Sequence, residues 1–267
     1  MKRKILAFIP ARGGSKGLPG KNIIDVNGKP LIAFSIRSGK VSKLVAKTIV
    51  STDSPEIAAI AKQFGAEVPF LRPAKLATDT APTIEAVLHA LAWLENKGEF
   101  YDAVALLEPT SPLRKKEDID NAIQLLADNW AKTDAVVSLG EIALESPYIA
   151  KKVEKGYIRP LLKIAGKSTR RQDLPRAYFP YGVIYLCKTA TLKKEKTFYP
   201  KHIMPYYIER WQNYEVDDIW NLVTVRAILR HLKANGSTAG AVEPLARVKN
   251  KKWNTPNQTS YADIHMP

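Results

Sequence analysis

Short runs of apolar and β-branched residues alternate with longer amphipathic segments along the first half of the chain. The short runs predict β-strands at residues 5–10, 47–52, 67–71, 103–108 and 135–139. The longer segments repeat apolar residues at steps of three and four, which predicts helices at residues 30–42, 54–64, 82–96 and 117–129. Strands that alternate with helices in this way form βαβ units. The sequence therefore predicts an α/β fold, with helices on both faces of a mostly parallel sheet.

The pattern changes after residue 139. Residues 153–158 (Val-Glu-Lys-Gly-Tyr-Ile) predict a β-hairpin, and a polar stretch follows it, so we expect an insertion in the sheet at about 140–175. A further strand at 182–188 and a helix at 219–232 complete a domain that spans residues 1–232. Gly, Ser, Thr, Asn, Pro and Lys dominate residues 233–267, which predicts a basic, weakly structured tail.

The composition indicates a globular protein with a packed core. Of the 267 residues, 45% are hydrophobic and 25% are charged, and these values exclude a disordered, collagen-like or coiled-coil chain. The chain has 41 Lys and Arg against 26 Asp and Glu, a net charge of +15. Such a surplus favours polyanionic partners: nucleic acid, acidic lipid or phosphorylated small molecules.

Cysteine usage and hydropathy bear on the compartment. Cys187 is the single cysteine, which excludes an internal disulfide framework and a cysteine-rich metal site and suits a reducing environment. The chain lacks the roughly 18 consecutive apolar residues of a membrane-spanning helix, and its first apolar run is too short for a secretion signal. We therefore expect a cytoplasmic protein with no membrane partner.

A loop rich in glycine and cations follows the first predicted strand. It reads Pro-Ala-Arg-Gly-Gly-Ser-Lys-Gly-Leu-Pro-Gly-Lys-Asn from residue 10 to residue 22. Such a turn lies at the carboxyl edge of a parallel sheet, where ligands bind, and its free N–H groups and cations suit a polyphosphate. The alternative is a solvated basic turn. The loop has neither Walker A nor GxGxxG spacing, so we expect neither a P-loop ATPase nor a dinucleotide dehydrogenase.

This loop resembles the signature of sugar nucleotidyltransferases, and specifically of the acylneuraminate cytidylyltransferase family. Further matching segments follow in the family's order at residues 51–54, 72–77, 109–114 (Pro-Thr-Ser-Pro-Leu-Arg), 171–175 (Arg-Gln-Asp-Leu-Pro) and 214–218. The resemblance implies a three-layer, Rossmann-like fold of the nucleotide-diphospho-sugar transferase type. It also implies transfer of CMP from CTP to the anomeric hydroxyl of a nine-carbon 2-keto-3-deoxy sugar acid, with release of pyrophosphate.

The resemblance assigns the nucleotide site to the loop and two later positions. Arg12 and Lys21, helped by Lys16, would neutralise the triphosphate and the charge that builds on the departing pyrophosphate. Arg72 falls where the family contacts the nucleobase, and Thr83 falls near the ribose; the alternatives are a surface salt bridge for Arg72 and a helix-capping role for Thr83. The other nucleotide-binding residues that we expect are Ala11, Gly13, Gly14, Ser15 and Asn22, the last at the nucleobase.

The acidic segment 214–218 (Tyr-Glu-Val-Asp-Asp) suggests a magnesium site. Side chains alternate along an extended segment, so Glu215 and Asp217 point to the same side and can share one Mg²⁺ with water and substrate phosphate. The family pair is usually Asp-x-Asp, so Asp217 is the safer ligand and Glu215 the altered one. The alternative is an acidic N-terminus for the following helix, where Asp217 and Asp218 favour the dipole, and both can hold.

Sugar recognition is where the chain departs from many members of the family. Glu108 stands in place of Gln, and Tyr181 stands in place of Asn, both at positions that face the expected sugar pocket. A carboxylate accepts hydrogen bonds without donating them, so Glu108 would repel the sugar carboxylate or pair with an N–H group. Arg171 is the expected partner of the sugar carboxylate. Gln172, Tyr185 and Phe198 would form the pocket wall, with plain packing as the alternative.

The resemblance also implies a homodimer, in which the insertion at 140–175 reaches toward the partner's site; the alternative is that it covers its own. The sugar acid is open among sialic, Kdo, legionaminic and pseudaminic types. Two other hypotheses are a catalytically inactive relative and a basic nucleic-acid-binding module. The sequence lacks a recognition-helix motif, so we expect no specific nucleic-acid partner.

Overall fold

The computed structural model describes residues 3–142, 145–162 and 174–237, which contain eight strands and six α-helices. The strands are β1 (Ile5–Pro10), β2 (Val45–Ser51), β3 (Ala103–Leu106), β4 (Ala135–Glu141), β5 (Lys151–Glu154), β6 (Tyr157–Pro160), β7 (Tyr178–Lys188) and β8 (Ile203–Tyr207). The helices are α1 (Leu31–Val41), α2 (Pro55–Gln63), α3 (Thr83–Glu95), α4 (Asp118–Asp128), α5 (Thr189–Glu195) and α6 (Ile219–Ala234).

Six strands form one sheet in the order β2-β1-β3-β7-β4-β8. The strands pair in parallel except for β7, which is antiparallel to both of its neighbours, β3 and β4. The prediction of a mostly parallel sheet is confirmed. Because β7 runs the opposite way, its amino-terminal half lies beside the carboxyl ends of β3 and β4.

Strand β1 shows how the sheet is covered on both faces. Its alternate residues Ile5, Ala7 and Ile9 pack in one buried cluster with α1, α2 and α4. Leu6 and Phe8 point the other way, into a cluster with α3 and α5. The result is the expected three-layer α/β arrangement. A third cluster joins α6 to α1, so the last helix is fixed against the body of the domain.

Several predicted boundaries differ from the structure. The expected strand at 67–71 contains Pro69, which has no N–H to donate, and the segment forms only single bridges at Glu67 and Leu71 beside β2. Strand β7 begins four residues before the predicted 182. Strand β8 and helix α5 were not predicted. The proline of β8, Pro205, argues against a central strand, but β8 lies at the sheet edge, where proline is tolerated.

The predicted hairpin is confirmed as β5 and β6, which pair antiparallel. Its two-residue turn has Lys155 at φ 52° and Gly156 at φ 79°, a left-handed pair that matches the twist of a hairpin. Every residue of the two strands is exposed. Within the insertion, residues 143–144 and 163–173 lie outside the described residues, and so does the predicted tail from residue 238. None of the described helices is long and apolar enough to cross a bilayer.

Candidate active site

A cleft of about 510 Å³ opens at the carboxyl edge of β1 and β3. The loop after β1 forms one wall, the segment before α3 forms a second, and residues after β3 form the floor. The lining residues are Pro10, Arg12, Ser15, Lys16, Gly17, Lys21, Asn22, Arg72, Leu76, Thr78, Asp79, Ala81, Thr83, Glu108, Pro109, Thr110 and Asp217. This is the edge at which parallel α/β sheets bind ligands.

Hydrogen bonds to neighbouring segments hold the glycine-rich loop in place. The Gly13 N–H donates to Asp53 Oδ1 at 2.8 Å. The buried Asn22 donates from Nδ2 to the Arg12 carbonyl oxygen at 2.9 Å. A Cβ atom on Gly17 would lie 2.9 Å from the backbone oxygen of Asp217, so glycine allows the loop to approach the acidic segment closely.

The three loop cations face the cleft, and two of them share one carboxylate. Arg12 Nη1 lies 2.8 Å from Asp79 Oδ1, and Lys16 Nζ lies 2.7 Å from Asp79 Oδ2. Lys16, by hydrogen bonding, holds the pKa of Asp79 below its usual value. Lys21 Nζ lies 2.9 Å from Asp217 Oδ1. Asp79 therefore occupies the position between the two cations that an anionic ligand would take.

Arg72 is buried behind the cleft rather than paired at the surface. Its Nε donates to Ser51 Oγ at 3.0 Å, and Nη2 donates to the Ser51 carbonyl oxygen. Burial lowers the pKa of Arg72 to about 10. Thr83 is the first residue of α3, and Pro82 occupies the N-cap position. Neither alternative that the sequence left open, a surface salt bridge or a capping role, matches this geometry.

Two carboxyl groups meet at Gly182, behind Glu108, which lines the cleft. Ser111 Oγ and the Gly182 N–H both donate to Glu215 Oε1, each at 2.5 Å. A Cβ atom on Gly182 would lie 2.5 Å from Glu108 Oε2 and 2.9 Å from Glu215 Oε1. Burial, together with the charge of Glu215, raises the pKa of Glu108 to about 7. Glu108 is therefore partly protonated at neutral pH and can donate a hydrogen bond, which the sequence interpretation excluded.

The acidic segment has the alternation that the sequence predicted. Val216 is fully buried, whereas Asp217 lines the cleft and Glu215 points to Gly182. Asp218 caps α6 by accepting a hydrogen bond from the Asn221 N–H at 2.8 Å. The capping alternative thus applies to Asp218. The described part of the chain contains no group of three or more His, Cys, Asp or Glu side chains arranged to hold a metal.

A family model for cytidylyltransferases matches residues 6–250. The chain belongs to the cytidylyltransferase family. It is 38% identical over 209 residues to a CMP-N,N'-diacetyllegionaminic acid synthase of Legionella pneumophila, covering 76% of this chain and 85% of that protein. It is 31% identical over 219 residues to a pseudaminic acid cytidylyltransferase of Campylobacter jejuni, covering 82% and 93%. An N-acylneuraminate cytidylyltransferase of Escherichia coli is 34% identical over 225 residues, covering 82% and 50%.

Among solved structures, a CMP:2-keto-3-deoxy-manno-octonic acid synthetase complexed with CTP superposes with a TM-score of 0.63. The match covers 85% of this chain and 99% of that chain, at 19% sequence identity. A likeness at this level of identity shows a shared fold. It agrees with the Rossmann-like fold that the sequence resemblance implied for this cytidylyltransferase.

The cytidylyltransferase cleft brings together most of the residues expected at the nucleotide and metal. The expected residues that line it are Arg12, Ser15, Lys16, Lys21, Asn22, Arg72, Thr83 and Asp217, together with Glu108 from the expected sugar site, whereas the expected metal ligand Glu215 is not among the lining residues. Ala11 is buried beneath the loop, and Gly13 and Gly14 belong to the loop itself. Arg171 and Gln172 lie outside the described residues. Asp79 was missed, because an acid in a polar loop gives no periodic signal.

None of the three aromatic residues expected at the sugar (Tyr181, Tyr185 and Phe198) is among the residues that line the cleft. The ring of Tyr181 lies 5.0 Å from that of Phe179, and Tyr185 donates from its hydroxyl to the Pro180 carbonyl oxygen at 3.0 Å. Phe198 is 7% exposed and packs in the core beneath α3, so for Phe198 the plain-packing alternative holds. The next residue, Tyr199, is 53% exposed, and its ring lies 6.0 Å from that of Tyr185.

Proposed function

We propose that this protein transfers CMP from CTP to the anomeric hydroxyl of a nine-carbon 2-keto-3-deoxy sugar acid and releases pyrophosphate. The observation that supports it most is one cleft that combines three cations from the β1 loop with acids from segments about a hundred and two hundred residues later. The relatives named above act on sugar acids of this kind. The cations suit a triphosphate, and the acidic floor suits the hydroxyl-bearing partner.

The proposed reaction divides the cleft into two ends. The anomeric hydroxyl oxygen bonds to the α-phosphorus and its proton passes to solvent, while the bond from that phosphorus to the bridging oxygen of the β-phosphate breaks and pyrophosphate leaves with the electron pair. Arg12, Lys16 and Lys21 would stabilise the charge that develops on the leaving group. They must first exchange their carboxylate partners, Asp79 and Asp217, for phosphate oxygens.

The nucleobase would lie between the loop and the segment before α3. Arg72 and Asn22 border this part of the cleft, and both are fixed by hydrogen bonds to backbone oxygen atoms. Fixed donors recognise a carbonyl group such as that of cytosine, because they lose little entropy on binding. Thr83, at the start of α3, would contact the ribose.

We also propose that Mg²⁺ accompanies CTP. Glu215 and Asp217 both raise the pKa of Glu108, which is consistent with their lying on the same side of the acidic segment. Two carboxylates are an ordinary protein contribution for Mg²⁺, which takes its other ligands from water and phosphate. When bound, the ion would neutralise triphosphate charge. Asp217 would hold it, and Lys21 would be released from Asp217 to the phosphates.

For the sugar acid, we favour a legionaminic-type substrate, with two N-acyl groups, over N-acetylneuraminate. The 38% identity to a CMP-N,N'-diacetyllegionaminic acid synthase supports this choice. Kdo and pseudaminic acid remain the competing substrates.

A substrate panel tests the proposal. Purified protein is incubated with Mg²⁺, each of CTP, UTP, ATP and GTP, and each of N,N'-diacetyllegionaminate, pseudaminate, N-acetylneuraminate and Kdo. Pyrophosphate release and the mass of the product are measured. We expect turnover with CTP only, fastest with the legionaminate. Pyrophosphate release without a preference for CTP would reject the assignment, and faster turnover of another acid would reject the sugar choice alone.

We propose further that the protein is a homodimer. The exposure of apolar side chains on the hairpin supports an interface there, since Val153 is 76% and Ile158 is 71% exposed. Sedimentation of the wild type and of a Val153→Lys, Ile158→Lys double variant tests this. Loss of the dimer in the variant is expected, and a monomeric wild type would contradict the proposal.

A further inference from the structure

Arg114 ends the Pro-Thr-Ser-Pro-Leu-Arg segment, and the proposed function assigns it no role. It is 2% exposed. Its Nε donates to the Val183 carbonyl oxygen at 2.6 Å, and Nη2 donates to the carbonyl oxygens of Gly182 and Glu108 at 2.7 and 2.9 Å. Its Nη1 donates to Ser35 Oγ at 2.8 Å. The guanidinium group therefore bonds neutral oxygen atoms from three separate parts of the chain.

These oxygen atoms lie where the sheet ladder opens. The register of β3 with β7 ends at the pair Leu106 and Tyr185. On the other side, the register of β4 with β7 jumps from Tyr185, opposite Val137, to Pro180, opposite Leu139. Residues 181–184 thus form a bulge that leaves regular pairing with both neighbouring strands. Bulges of this kind re-aim side chains and often adjoin active sites.

Side chains replace the missing ladder bonds on both sides of the bulge. Ser138 Oγ, on β4, contacts the backbone of Tyr181 and Ile184. Arg114 holds the opposite side, and Ser35 Oγ completes the link by donating to the Glu108 carbonyl oxygen at 2.9 Å. Gly182 is the bulge residue that contacts the Glu108 and Glu215 carboxyl groups. The bulge therefore lies directly against Glu108, which is part of the floor of the cleft.

We propose that Arg114 is a positioning residue for the sugar acid: with Ser35, it holds the bulge of β7 against the end of β3, so that Glu108 and Gly182 form the sugar end of the cleft. The inference rests on the proposed function. Arg114 acts from behind the floor. The triphosphate cations are carried by the β1 loop and have different partners, Asp79 and Asp217.

Lysine cannot replace Arg114 in this role. The planar guanidinium group reaches four acceptors at fixed angles, whereas an ammonium group is a point charge with three donors on a flexible stem. Burial lowers the pKa of Arg114 to about 10, so it remains a cation at neutral pH. A lysine side chain at this position would therefore keep the charge and lose the fork that spans Glu108, Gly182 and Val183.

The test compares Arg114→Lys and the milder Ser35→Ala with Ser38→Ala as the matched control. Ser38 lies on the same helix, α1, and its hydroxyl donates to the Phe34 carbonyl oxygen of that helix. The KM for the sugar acid, kcat and the dissociation constant for CTP are measured, with thermal unfolding alongside. Ser35→Ala keeps the test valid if Arg114→Lys fails to fold.

We expect Ser35→Ala to raise the KM for the sugar acid about three- to tenfold, the effect of one lost hydrogen bond, and Arg114→Lys to raise it further. The CTP dissociation constant should stay within about twofold of the wild type, and Ser38→Ala should change neither value. An unchanged sugar KM in Ser35→Ala, or an equal loss of CTP affinity, would overturn the proposal. A wild type inactive with every sugar acid would instead reject the proposed function.

Discussion

Replacement of Gly182 by alanine adds one methyl group where the cleft has no room for it. The new Cβ atom would lie 2.5 Å from Glu108 Oε2, 2.6 Å from Ser111 Oγ and 2.9 Å from Glu215 Oε1, all well inside ordinary contact distances of 3.4–4 Å. Gly182 has an extended backbone that alanine can adopt. The perturbation is therefore steric, and it acts on the floor of the cleft.

The three oxygen atoms cannot all move away freely. Glu215 accepts from both Ser111 and the Gly182 N–H itself, so a shift of its carboxylate lengthens those bonds. Overpacking of this type costs about 1–3 kcal/mol. If that cost appears as misplacement of Glu108 and Glu215, kcat/KM for the sugar acid falls roughly tenfold to a hundredfold, since about 1.4 kcal/mol corresponds to a factor of ten.

The assay measures pyrophosphate release as a function of sugar-acid concentration. CTP binding and thermal unfolding, measured alongside, distinguish a change confined to the sugar end of the cleft from a loss of stability of the whole domain. Gly39→Ala is the matched control, because its Cβ atom would lie 2.7 Å from Thr48 Oγ1 at the contact of α1 with β2, away from the cleft. It also gains about 1 kcal/mol of helix propensity. We expect reduced sugar kcat/KM in Gly182→Ala only. Equal sugar kcat/KM in both variants would refute the reasoning.

Three further predictions use single carboxyl groups. Asp79→Asn should bind pyrophosphate about two- to fivefold more tightly, as measured by calorimetry, because Arg12 and Lys16 lose a competing anion. Weaker binding would show that Asp79 assists the ligand. Because its pKa is raised in the folded state, Glu108 contributes stability below about pH 4.5, and this contribution is lost as the pH rises through about 7. Denaturant unfolding in the presence of chelator should therefore show the free energy of unfolding falling by at most about 3 kcal/mol over this range, and Glu108→Gln should abolish that fall. The same fall in the variant would contradict the prediction. Asp217→Asn should raise the Mg²⁺ concentration needed for half-maximal activity. Asp218→Asn should not, because asparagine caps the helix as well as aspartate does. An equal rise in both variants would place the ion elsewhere.

Sequence patterns predicted the elements that have a local cause. Helix α3 begins at Thr83 after a proline N-cap and repeats apolar residues along one face, so its bounds differ from the prediction by one residue at each end. The β1 loop was predicted to be an anion site from its glycines, its cations and its position after a strand, and its three cations do line the cleft. The prediction of β7 covered its carboxyl-terminal part and missed its first four residues, which lead into a bulge held by Arg114 and Ser138, two residues that are remote in sequence.

The site predictions failed where burial or charge depends on the fold. Phe198 and Tyr199 are neighbouring aromatic residues before β8, and no periodicity in this segment shows which one is buried. Asp79 lies between two threonines in a loop, and its contact with Arg12 exists only after the loop and the segment before α3 have met. Glu108 was interpreted as an acceptor alone, because a raised pKa requires the neighbouring Glu215 and burial.

The direction of β7 places both ends of the insertion at the edge of the sheet that carries the cleft. Strand β4 is parallel to β8 and ends at Glu141, at the edge of the sheet that carries the cleft. Because β7 is antiparallel to β4, it begins at Tyr178 on that same edge. The chain therefore leaves the sheet at Glu141 and re-enters it at Tyr178, and these paired residues anchor both ends of the insertion at that edge. We therefore expect changes of length or sequence in the insertion to affect the proposed sugar end of the cleft more than the β1 loop, which lies two strands away from β7.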